Sequence, residues 1–455
     1  MAVSPLSLLL LLLAFAVSLL YILRKPAPLR SGSDGARRQP PPSPRGLPLL
    51  GHLHLLGSLP HRALRSLAAA HGPVLLLRLG RVPAVVVSSP AAAEEVMRTR
   101  DLAFASRPRS AMADRLLYGR DVAFAPYGEY WRQARRVCVV HLLSPLRILS
   151  FRSVREEEAA ALVERVRGAA AGGAVVDWTC ELLGTAPVGE LLPWLGWLDA
   201  LMGMEGKIRR TFKALDGVLE KVIDDRRRRR QAGQQTRDDG GHHRDFVDVL
   251  LDVNETDNEA GMRLSTTEIK AIILDMFAAG TDTTSTAMEW AMAELITHPD
   301  SMRKVQDELR AAVGGSAHVI TEGHIDKLHY LKAVVKETIL GHHVPAGTRV
   351  VINAWAVGRD PAAWERAEEF VPERFLDGAV DYKGQDFQLI PFGAGRRGCP
   401  GVGFAAPTIE MALASLMYHF DWEPAGGASL DMREVNGLAV RLKSGLPLVA
   451  KPRFR

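Results

Sequence analysis

The run Pro391-Phe392-Gly393-Ala394-Gly395-Arg396-Arg397-Gly398-Cys399-Pro400-Gly401, followed by an apolar helical stretch from Phe404 to Phe420, constrains this chain more than any other segment. Glycines on both sides of Cys399 let the backbone approach a flat ligand closely. The cysteine falls where loop becomes helix, and the unpaired N–H groups and positive dipole end of that helix favour a thiolate. Arg397 stands two residues earlier. A thiolate ligand and a cation for a propionate are what a haem iron requires of such a loop. The bland reading is a free cysteine in a glycine-rich turn. The overlapping Gly401-Val402-Gly403 lacks the preceding buried strand and βαβ unit of a dinucleotide loop, which argues against nucleotide binding.

A chain of 455 residues, 47% hydrophobic and 24% charged, can bury a large core around this loop. Alanine and leucine dominate, which favours helices, so the fold class expected is mainly α with a small β portion. A net charge of +5 suits an anionic membrane surface or an acidic protein partner, yet is common among soluble enzymes. The three cysteines, Cys138, Cys180 and Cys399, show no metal-ligand spacing, which argues against a disulfide scaffold or zinc site and for a reducing compartment. Cys138 and Cys180 lie among apolar residues and read as buried core thiols.

The stretch from Leu6 to Leu23 is apolar apart from Ser7 and Ser18, and nearly spans a hydrocarbon core of roughly 30 Å. Arg24, Lys25, Arg30, Arg37 and Arg38 follow it. Positive charge on that side retains it in the cytosol, so residues 1–24 read as a single-pass signal anchor; a cleaved signal peptide is the rival. Residues 25–51 are a basic and proline-rich linker, extended and stiff. From residue 52 to 455 one large domain is expected.

Pro73 to Leu79 and Val82 to Ser88, split by Gly80-Arg81, predict a hairpin, and Ser89-Pro90 starts a helix through Arg98. Trp131 and Arg135 lie four apart on a helix opening near Tyr127, so an indole N–H and a guanidinium share one face, two donors suited to a carboxylate. Asp224 to Arg230 is a charge run of the kind found at solvated helix ends, too local for nucleic-acid binding. Ser265-Thr266-Thr267-Glu268 forms a capping box opening a long apolar helix that stops at Pro299. Within it, Ala279-Gly280-Thr281-Asp282-Thr283-Thr284 puts small side chains and the Thr283 hydroxyl on one face, leaving room for a flat cofactor and a diatomic ligand. Thr283 can hold a water chain and Asp282 can connect it to solvent. A helix bent by glycine and back-bonding threonines is the structural reading, compatible with the first.

Phe392, Gly395, Arg397, Cys399 and Gly401 meet the pattern F-x-x-G-x-R-x-C-x-G, which resembles the haem loop of the cytochrome P450 family. The A-G-x-D-T-T segment resembles that family's oxygen-binding helix, and W-x-x-x-R resembles its second propionate clamp. The wording around them, including the proline-rich hinge and Phe370-Val371-Pro372-Glu373-Arg374-Phe375, is most similar to plant microsomal members, with a weaker likeness to the grass branch acting on indole-derived defence metabolites. The resemblance runs from the anchor to the C-terminus, with two departures. The family carries E-x-x-R on the helix holding Lys336-Glu337-Thr338-Ile339, braced by a later arginine; Glu337 and Arg374 match, but position 340 is Leu and the intervening arginine is missing. The chain passes straight to Gly341-His342-His343-Val344-Pro345, so a block with that arginine and a substrate-lining strand is absent. A second gap falls near Cys180 to Pro187.

The resemblance implies haem b ligated by Cys399, with Arg397, Trp131 and Arg135 on its propionates and Ala279 and Gly280 beside it. Asp282 and Thr283 would deliver protons. The implied activity is monooxygenation: insertion of one atom of O2 into a small apolar substrate, a plant secondary metabolite. Electrons would come from NADPH through a membrane reductase, with the catalytic domain on the cytosolic side of the endoplasmic reticulum membrane. The missing arginine leaves a second reading open, an inactive or haem-binding-only relative, in which Glu337 and Arg374 satisfy each other and haem is held weakly. A membrane-tethered interaction protein without haem is the third.

Overall fold

Two short runs rich in Val and Leu form the first sheet where the sequence predicts it. In the computed structural model, which describes residues 40–172, 204–231, 245–256, 263–314, 320–338, 349–427, 429–437 and 439–454, strands β1 (Val74–Leu79) and β2 (Val82–Val87) pair antiparallel, Val74 opposite Val87 and Leu79 opposite Val82. Gly80 turns between them with φ +63°. Strand β3 (Arg349–Ile352) returns from far along the chain to pair parallel with β2. The end of the proline-rich segment is fastened to this sheet: Leu76 N–H donates to Pro42 O at 2.9 Å, and the buried His52 reaches Pro44 O at 2.9 Å through Nε2. The run from Leu6 to Leu23, Cys180 and the segment from Gly341 to Thr348 lie outside the described residues. Among the described residues no helix is long and apolar enough to cross a membrane.

Nine helices of nine residues or more are described: α1 (Pro60–His71), α2 (Glu129–Val137), α3 (Arg152–Ala171), α4 (Met204–Gln231), α5 (Phe246–Thr256), α6 (Thr266–Thr297), α7 (Pro299–Val313), α8 (His329–Thr338) and α9 (Val402–His419). Small sheets close the C-terminal part, β4 (Phe420–Pro424) pairing with β7 (Leu448–Pro452), and β5 (Glu434–Val435) with β6 (Arg441–Leu442). Helix excess over strand matches the expected class.

Local signals fix the helix ends. Ser265 and Glu268 make both bonds of the capping box, Glu268 N–H to Ser265 Oγ at 3.2 Å and Ser265 N–H to Glu268 Oε2 at 2.8 Å, and α6 stops two residues before Pro299. Ser89 caps the helix Pro90–Glu94 as expected, but the chain continues in a π turn, Glu95–Thr99, instead of regular α-helix to Arg98. The main core gathers α3, α6, α7, α8, α9 and the β4–β7 sheet around Leu295, Leu309, Leu331 and Leu413, all fully buried. A second core joins α2, α5 and α6 around Trp131, Cys138, Leu250 and Ile269.

The arginine run at the end of α4 is less solvated than its composition implies. Arg226 pairs with Asp245 at 2.6 Å, Arg230 with Asp252 at 2.9 Å, and Arg227 donates to Thr266 Oγ1 at 2.9 Å. These bonds fasten α4 to the start of α5 and of α6, so the charge serves packing between helices.

Candidate active site

The cysteine loop owes its shape to backbone that only glycine adopts easily. Gly395 has φ +63°, and a Cβ there would stand 1.9 Å from Met97 O. Cys399 N–H donates to Phe392 O at 2.7 Å and Gly398 N–H to Gly395 O at 3.0 Å, closing the loop. Helix α9 starts three residues after Cys399, and Gly401 N–H donates to Cys399 Sγ at 3.3 Å. Burial pushes the thiol up, while the Gly401 amide and the Arg135 guanidinium act the other way. We predict that Gly395→Ala will cost about 2–4 kcal/mol, the left-handed backbone strain plus the backbone clash, read as a lower thermal midpoint; an unchanged midpoint would contradict this loop shape.

Cys399, Phe392 and Gly401 line a cavity of about 1770 Å³. Ala279, Gly280 and Thr283 of α6 line the same cavity, so the two sequence motifs do meet around one space. A Cβ on Gly280 would meet nothing within 4 Å. Thr283 Oγ1 donates to Ala279 O at 2.6 Å, the back-bond expected of a threonine within a helix. Asp282 is buried and its carboxylate pairs with Arg441 of β6, a partner with no counterpart in the sequence motif.

Cations crowd one side of this space. Arg397 donates to three backbone carbonyls, Ala105 at 2.6 Å, Val122 at 3.3 Å and Ala125 at 2.7 Å, and its guanidinium lies 3.9 Å from the Trp131 ring centroid. Trp131 Nε1–H donates to Val122 O at 2.9 Å. Arg135 donates to Gly398 O at 2.5 Å, tying α2 to the cysteine loop. Arg107, which the sequence reading missed, joins them and donates to Ala123 O at 3.1 Å. Burial pushes Arg107 down to about 10. Burial, then repulsion from Arg107 and Arg135, pushes Arg397 down to about 9. Asp121 is the acid that opposes this, through its charge on Arg107 and Arg397.

A sequence model of the family described as Cytochrome P450 matches residues 41–187, 185–340 and 338–447. This chain belongs to the cytochrome P450 family. It is 44% identical to Cytochrome P450 71A1 of Persea americana over 88% of this chain and 91% of that relative. It is 42% identical to Cytochrome P450 736A117 of Prunus mume, covering 91% and 90%, and 40% identical to Cytochrome P450 71A4 of Solanum melongena, covering 90% and 92%. Cytochrome P450 proteins bind haem b through a cysteine thiolate, and membership implies haem-dependent monooxygenase chemistry.

The residues present fit that cofactor. Three half-buried guanidiniums that repel one another beside a cavity call for a dianion, and two propionates supply it. The P450 match breaks at residues 185–187 and 338–340, where the sequence pattern skips. The alignment to the Persea relative runs over 462 positions while 88% of this chain is about 400 residues, so about 60 aligned positions have no residue here. Of the expected brace, Arg374 donates to the carbonyls of Glu365, Arg366, Glu369 and Val371. Glu337 falls on α8, and its side chain lies outside the described residues.

Proposed function

We propose that this P450 is a haem-thiolate monooxygenase that inserts one oxygen atom of O2 into a small apolar substrate, a plant secondary metabolite, with electrons from NADPH through a membrane reductase. The observation that carries the proposal is a single cavity lined by Cys399, by Thr283 and by the guanidiniums of Arg107, Arg135 and Arg397. When bound, the haem supplies oxygen activation, with the thiolate favouring O–O cleavage. Cys399 Sγ is the metal ligand in this reading, and the Gly401 N–H tempers its charge. Arg397 and Arg135, with Arg107, hold the propionates. Trp131, expected from its spacing to join them, has its single N–H committed to Val122 O and instead supports the Arg397 guanidinium with its ring. Phe392, Gly395 and Gly401 give the loop its close approach. Ala279 and Gly280 leave room on the opposite wall. Thr283 Oγ1 holds a water chain in the cavity, and Asp282, ion-paired with Arg441, connects that chain to solvent, from which the protons come. Glu337 and Arg374 brace the cysteine side.

In this reading residues 52–455 are one domain on the cytosolic face of the endoplasmic reticulum membrane, behind an anchor of residues 1–24 and a linker of residues 25–51 whose end from Pro42 onward is bonded to the domain's sheet. The apolar run from Leu6 to Leu23 and the basic residues after it support this reading. The second reading, an inactive or haem-binding-only relative, is favoured by the roughly 60 positions that have no residue here. The reduced, carbon-monoxide-bound absorption spectrum separates the two. A thiolate-type Soret band is expected; a band of ordinary haem, or none, establishes the second reading instead. Thr283→Ala is expected to raise released peroxide several-fold relative to product, and unchanged coupling removes Thr283 from the proton path.

A further inference from the structure

We propose that Asp275 is a positioning residue for the arginine cluster, holding the loop of residues 121–125 so that its carbonyls meet Arg397, Arg107 and Trp131. The proposal rests on the haem reading above. Asp275 stands on α6, two turns before Asp282, 5% exposed and on the cavity wall. Its Oδ2 accepts the backbone N–H groups of Val122 and Ala123. The same two residues present their carbonyls to the cluster: Val122 O to Trp131 Nε1 and Arg397 Nη1, and Ala123 O to Arg107 Nε.

Peptide planarity makes this a rigid coupling. The Ala123 N–H and the Val122 C=O belong to one trans peptide and point in opposite directions. A carboxylate that draws the N–H toward α6 therefore aims the carbonyl at Trp131 and Arg397. Without that pull the plane is free to rotate, and two donors of the cluster lose their common acceptor. Asp275 so orients groups on the far side of the loop that it does not touch.

The charges facing Asp275 favour a response near neutrality. Asp121 repels it from the loop itself; Tyr130 and Cys138 face it from the two ends of α2; Arg107 and Arg397 lie beyond the loop, acting on Asp121. Burial first, and then Asp121, pushes the Asp275 carboxyl up to about 7 against two N–H donors that oppose the shift. Above that value the charged carboxylate grips both amides; below it the neutral acid is a weaker acceptor. Global stability moves the other way. A carboxyl raised above its unfolded value of 3.8 contributes stability below that value and loses it as pH rises through the folded value of about 7. Acid loosening of the loop is thus distinguishable from unfolding.

The test compares wild type with the isosteric Asp275→Asn variant, as apoprotein, by haemin titration between pH 6 and 8. Thermal melts and backbone hydrogen exchange of Val122 and Ala123 accompany it. Wild type is expected to bind haemin several-fold more tightly at pH 8 than at pH 6. The Asp275→Asn variant should hold the weaker affinity throughout, with a melting point at pH 8 no lower than wild type's. Propionate protonation affects both proteins equally and cancels. An Asp275→Asn protein with the affinity and pH profile of wild type overturns the proposal. If wild type takes up no haemin, the haem reading fails for this chain, and exchange still decides the loop role: amide protection lost on substitution, or on acidification of wild type, supports it, and protection unchanged in both overturns it.

Discussion

Replacing Cys399 by Ala is expected to remove the thiolate-type Soret band of the reduced, carbon-monoxide-bound protein completely. Cys399 lines the cavity, whereas Cys138 is fully buried in the second core, its thiol pushed up to about 12 by burial. No other described cysteine therefore stands ready to take over the iron. The fold should survive, because Sγ accepts one long bond from Gly401 while the loop is closed by backbone bonds the substitution leaves intact. The measurements are the difference spectrum, total haem content and far-ultraviolet circular dichroism. Loss of the band with unchanged helix content is the expected outcome; a surviving band places the ligand elsewhere.

The second large effect is expected from Arg374→Ala. Its guanidinium and Nε reach four carbonyls of one irregular stretch, and it lies 5.5 Å from the Trp364 ring centroid. Truncation removes these bonds, but Arg366 O keeps the Glu369 N–H at 3.0 Å and Val371 O keeps the Arg374 N–H at 3.2 Å, so only the exposed Glu365 and Glu369 carbonyls pass to water. A bond from a charged donor contributes about 1.5–3 kcal/mol at most and less where water can replace it, so about 1–3 kcal/mol in total is expected, including the lost packing on Trp364. Against a typical domain stability of about 5–15 kcal/mol, that lowers the thermal midpoint measurably and shortens the haem half-life. A thermal midpoint and haem half-life within error of wild type would show that the stretch is held by other means.

The legible parts of this molecule are those set by neighbours in sequence. Ser265 and Glu268 announce a helix start because both bonds of the box close within four residues. The hairpin around Gly80-Arg81 is equally local, and the cysteine loop needs little beyond its own glycines. Arg107 was not legible: Ser106-Arg107-Pro108-Arg109 has the look of a surface turn, and its value comes from Arg397 and Arg135, brought beside it by the fold. Arg441 and Asp275 were missed for the same reason, since their partners lie 159 and 153 residues away. The run from Arg226 to Arg230 is a helix end as expected and exposes Arg228 and Arg229, but the pairing of Arg226 with Asp245 and of Arg230 with Asp252 was not legible because those acids come later in the chain.

The strap of residues 42–52 along β1 sets how force enters the domain. Pro42 O is bonded to Leu76, Leu47 to Gly51, and Gly51 would clash with Arg78 O if it carried a Cβ, so this stretch is a fitted seam along the sheet. A tug on the chain before residue 40 is borne in shear by those hydrogen bonds and passed through β1 and β2 to β3. A pull applied at residue 40 thus loads the edge of the sheet before it reaches the helical core.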